Sequence, residues 1–135
     1  MVPDVKKIFA EHYPLIQETR EILLQANILV RRNYDGDGLF IDTGDGHRKA
    51  LEERLTDEEQ AVIAAFFDLE SNGVRIERFS PFTMDIAWRN LTRLEVMDLS
   101  DYEEEIQRRR NDETTAYFEE VYDGWYVMII VSPPI

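Results

Sequence analysis

The C-terminal stretch, residues 116–131, constrains the fold more than any other part of the chain, because it predicts a β-hairpin. Asp123 and Gly124 stand between two runs rich in aromatic and β-branched residues, and Asp-Gly is the pair that a two-residue type I′ turn prefers. The strand after the turn, Trp125–Val131, is apolar on both of its faces. We therefore expect this strand to lie centrally in a sheet or to be covered on both sides.

The register of this hairpin places five large side chains on one face. With a two-residue turn, Tyr122 is opposite Trp125 and Glu120 is opposite Val127, and opposed residues point the same way. The other face then carries Tyr117, Val121, Tyr126, Met128 and Ile130. Such a patch would lie bare in a monomer, and bare apolar patches usually mark an interface. These five residues are the predicted partner-binding site, either for a homodimer or for a heterologous partner.

Composition indicates one globular domain, residues 1–135. Hydrophobic residues make up 44% and charged residues 32% of the chain, which is ordinary for a protein with a buried core. The apolar runs are shorter than the ~20 residues of a membrane span, and the N-terminus lacks the apolar region of a signal peptide. Because the chain has no cysteine, disulfides and thiol chemistry are excluded. A cytoplasmic protein is the expectation.

The charge of the chain restricts its partners. The formal net charge is −13, and residues 1–55 carry only −2 of it, so the acid is concentrated after residue 55. Free nucleic acid and anionic membranes are poor partners for an acidic surface. A basic protein is a possible partner, and solubility is the simpler explanation of the charge.

Two main helices are predicted in the first half of the chain. Apolar residues recur with helical period over 4–30, and Pro14 divides this stretch into a short helix and a longer one. His12 falls on the apolar stripe and is expected to be buried or to cap a helix rather than to bind a ligand. Residues 56–59 form a capping box that begins a second helix over 57–70.

A third, short surface helix is predicted over residues 101–110. A second capping box, residues 100–103, begins it, and its glutamates and arginines have the spacing of i,i+4 ion pairs. Its apolar face consists of Tyr102 and Ile106 alone. We therefore expect this helix to be too thin a cover for the hairpin.

Strands account for most of the remaining chain. Residues 74–98 alternate apolar and charged side chains, with a break at 80–81, as antiparallel strands do when one face is wet and carries a mixed-charge ladder. Residues 39–42 predict a short strand between glycine-bearing turns. The predicted fold class is α+β: an antiparallel sheet of about five or six strands with two main helices packed on one face.

Four aspartates and four glycines between residues 34 and 46 offer the one candidate for a metal site. Asp35, Asp37, Asp42 and Asp45 have the hard oxygen ligands that calcium and magnesium use. However, the EF-hand spacing fails, since the sixth position counted from Asp35 is Phe40 rather than glycine. Aspartate and glycine are also what tight turns prefer. We predict a structural turn region, with no metal and no cofactor.

Other catalytic or anion-binding motifs have little support. Residues 44–49 precede a possible helical run, 48–54, and could hold an anion beside Arg48 and Lys49, but Asp45 would repel a phosphate. None of the four serines lies in a Gly-x-Ser-x-Gly elbow.

The sequence thus favours a small acidic protein that binds another macromolecule without catalysis, as a regulator, an inhibitor or an immunity-type partner. The alternative is a small-ligand pocket enclosed by helices and a curved sheet, in a sensor or in an enzyme that polarises its substrate with tyrosine, histidine and aspartate.

Overall fold

The computed structural model of the protein describes residues 5–33, 38–45, 47–71, 74–88, 92–111 and 118–131. Its helices are α1 (Val5–Ala26), α2 (Asp57–Phe67) and α3 (Glu103–Arg110), with a short 3-10 helix at Leu51–Glu53. Its strands are β1 (Leu29–Arg32), β2 (Leu39–Asp42), β3 (Arg48–Lys49), β4 (Glu70–Ser71), β5 (Val74–Ser80), β6 (Thr83–Trp88), β7 (Thr92–Asp98), β8 (Phe118–Tyr122) and β9 (Trp125–Val131).

The strands form one antiparallel sheet, so the α+β class is confirmed. Eight of them lie side by side in the order β3-β2-β1-β5-β6-β7-β9-β8, and β4 pairs with β5 outside this order. The predicted number of about five or six strands is wrong. The additional strands are β1, β3 and β4, which have two to four residues each and are too short to show an alternating pattern. The helical run predicted over 48–54 is also wrong, because β3 and the 3-10 helix divide it.

Helix α1 is kinked where proline predicts it. His12 has non-helical dihedral angles just before Pro14, because proline cannot donate a backbone hydrogen bond and clashes with the preceding turn. His12 itself is half-exposed, and its Nε2 lies 3.8 Å from a carboxylate oxygen of Glu11. The helix ends at Ala26, before Asn27 at a φ of +53°.

Helix α2 begins as predicted and ends earlier. The hydroxyl of Thr56 accepts from the amide of Glu59 at 3.1 Å, and the Glu59 carboxylate accepts from the amide of Thr56 at 2.9 Å. This capping box satisfies two donors that the helix leaves unpaired. The helix stops at Phe67, whose carbonyl accepts from the guanidinium of Arg32.

The core is one cluster of side chains from both long helices and the sheet. Helix α1 contributes Phe9, Ile16 and Leu23 among others, and α2 contributes Ile63, Phe66 and Phe67. The sheet contributes a row of directly paired residues that runs across six strands: Ile41, Val30, Phe79, Met84, Val96 and Val127. We call this set the buried row.

The C-terminal hairpin forms around the predicted turn, but its register is not the predicted one. Gly124 has a φ of +85° and Tyr122 is opposite Trp125, as expected. The pairing then shifts at Val121, so Glu120 is opposite Tyr126 rather than Val127. A bulge of this kind adds one unpaired residue to a strand and turns the side chains that follow.

Helix α3 lacks the predicted capping box. Its N-cap is Tyr102, with no capping hydrogen bond from its side chain, while the hydroxyl of Ser100 instead donates to Asp98. The predicted pair of Glu105 with Arg109 is confirmed, with Nε to Oε1 at 2.7 Å. Arg108 also binds Glu105, at i,i+3 spacing.

Candidate interaction surface

The face of the sheet opposite the buried row carries a second row of paired residues. Arg31 of β1 is opposite Arg78 of β5, Arg78 is opposite Asp85 of β6, and Asp85 is opposite Glu95 of β7. We call these four residues the charged row. It continues outward to Phe40 on β2, which is opposite Arg31, and to Met128 on β9, which is opposite Glu95.

The alternation of the strands places this row away from the core. Each of its residues is the chain neighbour of a residue in the buried row, and successive side chains of a strand point to opposite faces. Arg78, for example, precedes Phe79, and Asp85 follows Met84. All four side chains of the charged row are half-buried, and none of them belongs to the clusters that pack against the described helices. We call this side of β1, β5, β6 and β7 the open face.

Charges of the same sign lie next to each other in the charged row. The two arginines occupy adjacent strands, and the two carboxylates occupy the next two strands. Like charges directly opposite each other destabilise a strand pair, whereas an alternating order would be favourable. The charged row is therefore positive on its β1–β5 half and negative on its β6–β7 half, with like charges adjacent in each half.

Neighbouring groups compensate these charges incompletely. Nη1 of Arg31 lies 3.2 Å from Oδ2 of Asp42, and Nη1 of Arg78 lies 3.7 Å from Oδ2 of Asp85. The amide of Gly44 and the guanidinium of Arg31 lower the pKa of Asp42 below its ordinary value, so Asp42 stays ionised. Glu95 makes no ion pair with any residue that the structure describes.

Apolar groups flank the charged row at both ends. Phe40 lies under the guanidinium of Arg48, whose carbon is 4.4 Å from the ring centroid. Met128 is opposite Phe118 at the other end, and its sulfur contacts a guanidinium nitrogen of Arg109. The row thus reads aromatic, positive, positive, negative, negative and thioether from β2 to β9.

Helix α3 bounds the open face on the β9 side. Ile106 packs in a small second cluster with Met97, Leu99 and Tyr126. Tyr126 is only 6% exposed, and its ring stacks on Phe118 at 5.0 Å between centroids. Burial raises the pKa of the Tyr126 phenol, and the carboxylate of Glu120 adds to this effect. The expectation that α3 is too thin a cover is therefore wrong for Tyr126.

The five predicted partner-binding residues do not form one bare face. Val121 is 8% exposed and belongs to the main core together with Trp125, whereas Tyr126 lies in the cluster under α3. Met128 is half-buried beside that cluster. Tyr117 and the side chain of Ile130 lie outside the described residues. The bare patch that suggested a homodimer through the hairpin is thus absent at Val121 and Tyr126, and the oligomeric state itself stays a prediction.

The two described aspartates of the Asp/Gly stretch serve as turn residues. Asp42 accepts from the amide of Gly44 at 2.8 Å, and Asp45 accepts from the amide of His47 at 3.0 Å and from the hydroxyl of Thr43. Asp35 and Asp37 lie outside the described residues. Among the residues that are described, no three His, Asp or Glu side chains are grouped to hold a metal ion. The anion site considered beside Arg48 and Lys49 loses the helix start on which it depended, since residues 48–54 contain β3 and a 3-10 helix rather than an α-helix.

A buried ion pair lies near the hairpin turn, at the end of the sheet. Nη1 of Arg20 is 2.8 Å from Oδ2 of Asp98, and the amide and hydroxyl of Ser100 both donate to Oδ1 of the same carboxylate. Burial raises the pKa of Asp98, but these hydrogen bonds and the charge of Arg20 outweigh it and lower the pKa below its ordinary value. The Arg20 guanidinium also lies over the rings of Phe82 and Trp125. This arrangement ties α1 to the ends of β7 and β9.

Sequence reasoning found the charged ladder but not the order of its charges. Alternation over 74–98 places Asp85 and Glu95 on the wet face, but in β5 it assigns Arg75 and Glu77 to that face and not Arg78. The position of Arg31 beside Arg78 depends on β1, which begins at the end of the stretch 4–30 that the sequence predicts as helical. The irregularity of β5 between Ile76 and Arg78 also shifts the register, and a single sequence does not reveal it.

The function of the chain has to be argued from this geometry. No family model, no curated protein and no solved structure matches the chain. No helix in the described part of the chain has both the length and the apolar character needed to cross a membrane. We take the open face as the candidate interaction surface, because the adjacent like charges of its charged row do not stabilise the fold.

Proposed function

We propose that this chain is a small acidic protein that binds another macromolecule without catalysis, as a regulator, an inhibitor or an immunity-type partner, and that its binding surface is the open face. We infer that α1 and α2 cover the opposite side of the sheet, so that binding does not require the core to open. The observation that carries the proposal is the segregated order of Arg31, Arg78, Asp85 and Glu95 on the face of the sheet opposite the buried row.

The order of charges in the charged row suits recognition of a partner by electrostatic complementarity. Potentials of opposite sign across an interface fix its register and suppress wrong partners. A partner would be complementary if its surface placed a negative strip against Arg31 and Arg78 and a positive strip against Asp85 and Glu95. A uniformly basic partner would instead favour the acidic remainder of the molecule.

Tyr122 and the pair of Ser100 with Asp98 are already used in packing and hydrogen bonding, which supports binding over chemistry. The Tyr122 ring is stacked on Phe9 at 6.1 Å and tilted against Tyr13 at 4.4 Å between ring centroids. Ser100 donates its hydroxyl hydrogen to a carboxylate that also holds Arg20. A hydroxyl so engaged orients a structural ion pair rather than attacking a substrate.

Affinity capture with charge-reversed variants tests the proposal. The bait proteins are the wild type, Asp85→Arg on the open face, and Glu18→Arg on the exposed side of α1 as a matched carboxylate-to-arginine control. We expect a partner that is retained by the wild type and by Glu18→Arg and is lost with Asp85→Arg. Capture of the same proteins by all three baits would contradict the proposal.

A further inference from the structure

We propose that one end of the sheet carries a second interaction surface, which takes a basic segment of another protein around an apolar contact. Five side chains form this surface: Tyr13, Arg20 and Leu24 of α1, Phe82 of the β5–β6 turn and Tyr122 of β8. We call this set the turn-end strip. It lies on the side of the sheet that faces α1, so the inference goes beyond the open face and does not depend on it.

The side chains of the turn-end strip follow one side of α1. The rings of Tyr13 and Tyr122 lie 4.4 Å apart between centroids. Two turns further along α1, the guanidinium of Arg20 lies 4.8 Å from the centroid of Phe82. Leu24 follows Arg20 by four residues and therefore lies on the same side of the helix. The strip thus runs from the hairpin turn to the β5–β6 turn.

The strip includes apolar side chains that the core leaves exposed. Leu24 is 45% and Phe82 is 48% exposed, and the third large apolar side chain exposed in the described part of the chain is Tyr102, at 58%. The amide of Tyr102 donates to Leu99, whose own amide donates to Gly124 of the hairpin turn, so Tyr102 lies at the same end of the sheet. Exposed apolar residues are ordinary when they are scattered, whereas their collection at one end indicates a contact surface.

Phe82 is held in place as an anchor of such a surface. Its carbonyl accepts from the amide of Asp98 at 2.9 Å, and the Arg20 guanidinium over its ring is itself held by Asp98 at 2.8 Å. The hydroxyls of Ser80 and Thr83, on either side of the turn, are hydrogen-bonded at 2.6 Å. An aromatic side chain that is already ordered loses little conformational entropy on binding, and residues of this kind carry much of the energy of an interface.

The carboxylates around the strip determine the charge of its partner. Glu21, Asp101 and Asp123 are exposed and make no ion pair with residues that the structure describes. Each lies within three residues of the strip or of Tyr102, and the single arginine of the strip is already compensated within the chain. Complementarity therefore requires lysine or arginine around an apolar side chain. A second copy with a net charge of −13 and an anionic membrane or nucleic acid would be repelled.

Binding of a synthetic basic peptide, mapped by amide chemical shifts, tests the proposal. The probe is an amphipathic peptide in which lysine and arginine flank leucine and tryptophan, and the control peptide has glutamate in place of every cation. We expect the basic peptide to bind in fluorescence anisotropy, to shift the amide signals around Leu24 and Phe82, and to leave those around Asp85 unchanged. The acidic peptide should not bind.

Matched substitutions locate the contact. Phe82→Ala and Leu24→Asp should each weaken binding of the basic peptide by about ten-fold or more. Leu24 is exposed, so its variant remains informative if Phe82→Ala fails to fold. Glu21→Arg beside the strip should also weaken binding, whereas Glu18→Arg, on the outer side of α1, should leave the affinity nearly unchanged.

The proposal is overturned if the basic peptide does not bind, if the acidic peptide binds equally well, or if Glu18→Arg and Glu21→Arg weaken binding alike. Shifts centred on Asp85 would assign the peptide to the open face and would also overturn it. Sedimentation equilibrium covers the other occupant, because self-association that Leu24→Asp abolishes would mean that a second copy occupies the strip. Affinity capture with Asp85→Arg is a separate measurement, so failure of the turn-end strip and failure of the proposed function are distinguishable.

Discussion

Two ion-pair systems of this protein differ in almost every physical respect. The pair of Arg20 and Asp98 is buried, with side chains 17% and 9% exposed, and its carboxylate is fully hydrogen-bonded. The pair of Arg78 and Asp85 is half-exposed, has a separation of 3.7 Å, and lies between like charges. The first system joins elements that are distant in sequence, whereas the second joins neighbouring strands that backbone hydrogen bonds already hold together.

The comparison of the two pairs indicates which charges stabilise the fold. Removing one member of a buried pair leaves the other charge without compensation in a poorly solvated site. Removing one member of an exposed pair changes little, because water solvates the remaining charge. Charges that contribute little to stability, and that lie beside like charges, are the ones available for binding.

The largest expected effect is that of Asp98→Ala. It leaves Arg20 and the amide of Ser100 without their acceptor, so we expect the free energy of unfolding to fall by about 3 kcal/mol. Urea denaturation followed by tryptophan fluorescence measures this change. Asp85→Ala is the matched control on the open face, and a loss as large as that of Asp98→Ala would erase the distinction between the two systems.

Gly124→Val should destabilise the same end of the molecule by about 2 kcal/mol. Gly124 has a φ of +85°, where a β-branched residue is strained, and a Cβ built there would lie 2.7 Å from Cβ of Ser100. Gly44→Val is the control, since Gly44 has a φ of +82° and nothing within 4 Å of the same position. Equal losses of unfolding free energy in the two variants would show that backbone strain alone matters and that the clash of the added Cβ with Ser100 does not.

The buried pair should also give the protein a specific acid sensitivity. The pKa of Asp98 is lowered in the folded state from the ordinary value of 3.8, so its contribution to stability is present above that pH and is lost as the pH falls through the folded-state pKa. The stability difference between the wild type and Asp98→Asn should therefore shrink below about pH 4. A difference that stays constant down to pH 2 would mean that Asp98 has the same pKa in both states.

The smallest effect on stability is expected for Glu95→Gln, and its sign is opposite. Glu95 is opposite Asp85 and has no ion pair among the described residues. Removing its charge relieves a repulsion, so we expect the free energy of unfolding to rise by up to about 0.5 kcal/mol. Urea denaturation decides the sign, and a loss above about 1 kcal/mol would show that Glu95 supports the fold.

The sequence predicted the parts of this structure that local chemistry determines. The turn at Gly124, the kink before Pro14, the capping box of Thr56 and the three strands over 74–98 each have a local signature. The bulge at Val121, the cover of Tyr126 by Ile106 and the pairing of Arg31 with Arg78 have none, because each depends on contacts between distant segments. The candidate site consists of relations of this second kind, and the predicted register of the hairpin was wrong for the same reason.

One paired measurement tests most directly the claim that the fold and the binding surface use different charges. Glu95→Gln and Asp98→Asn are each measured for urea stability and, as baits in the affinity capture, for retention of the partner protein. The account predicts weaker retention of the partner with undiminished stability for Glu95→Gln, and unchanged retention with reduced stability for Asp98→Asn. A Glu95→Gln variant that retains the partner like the wild type and is less stable would contradict it.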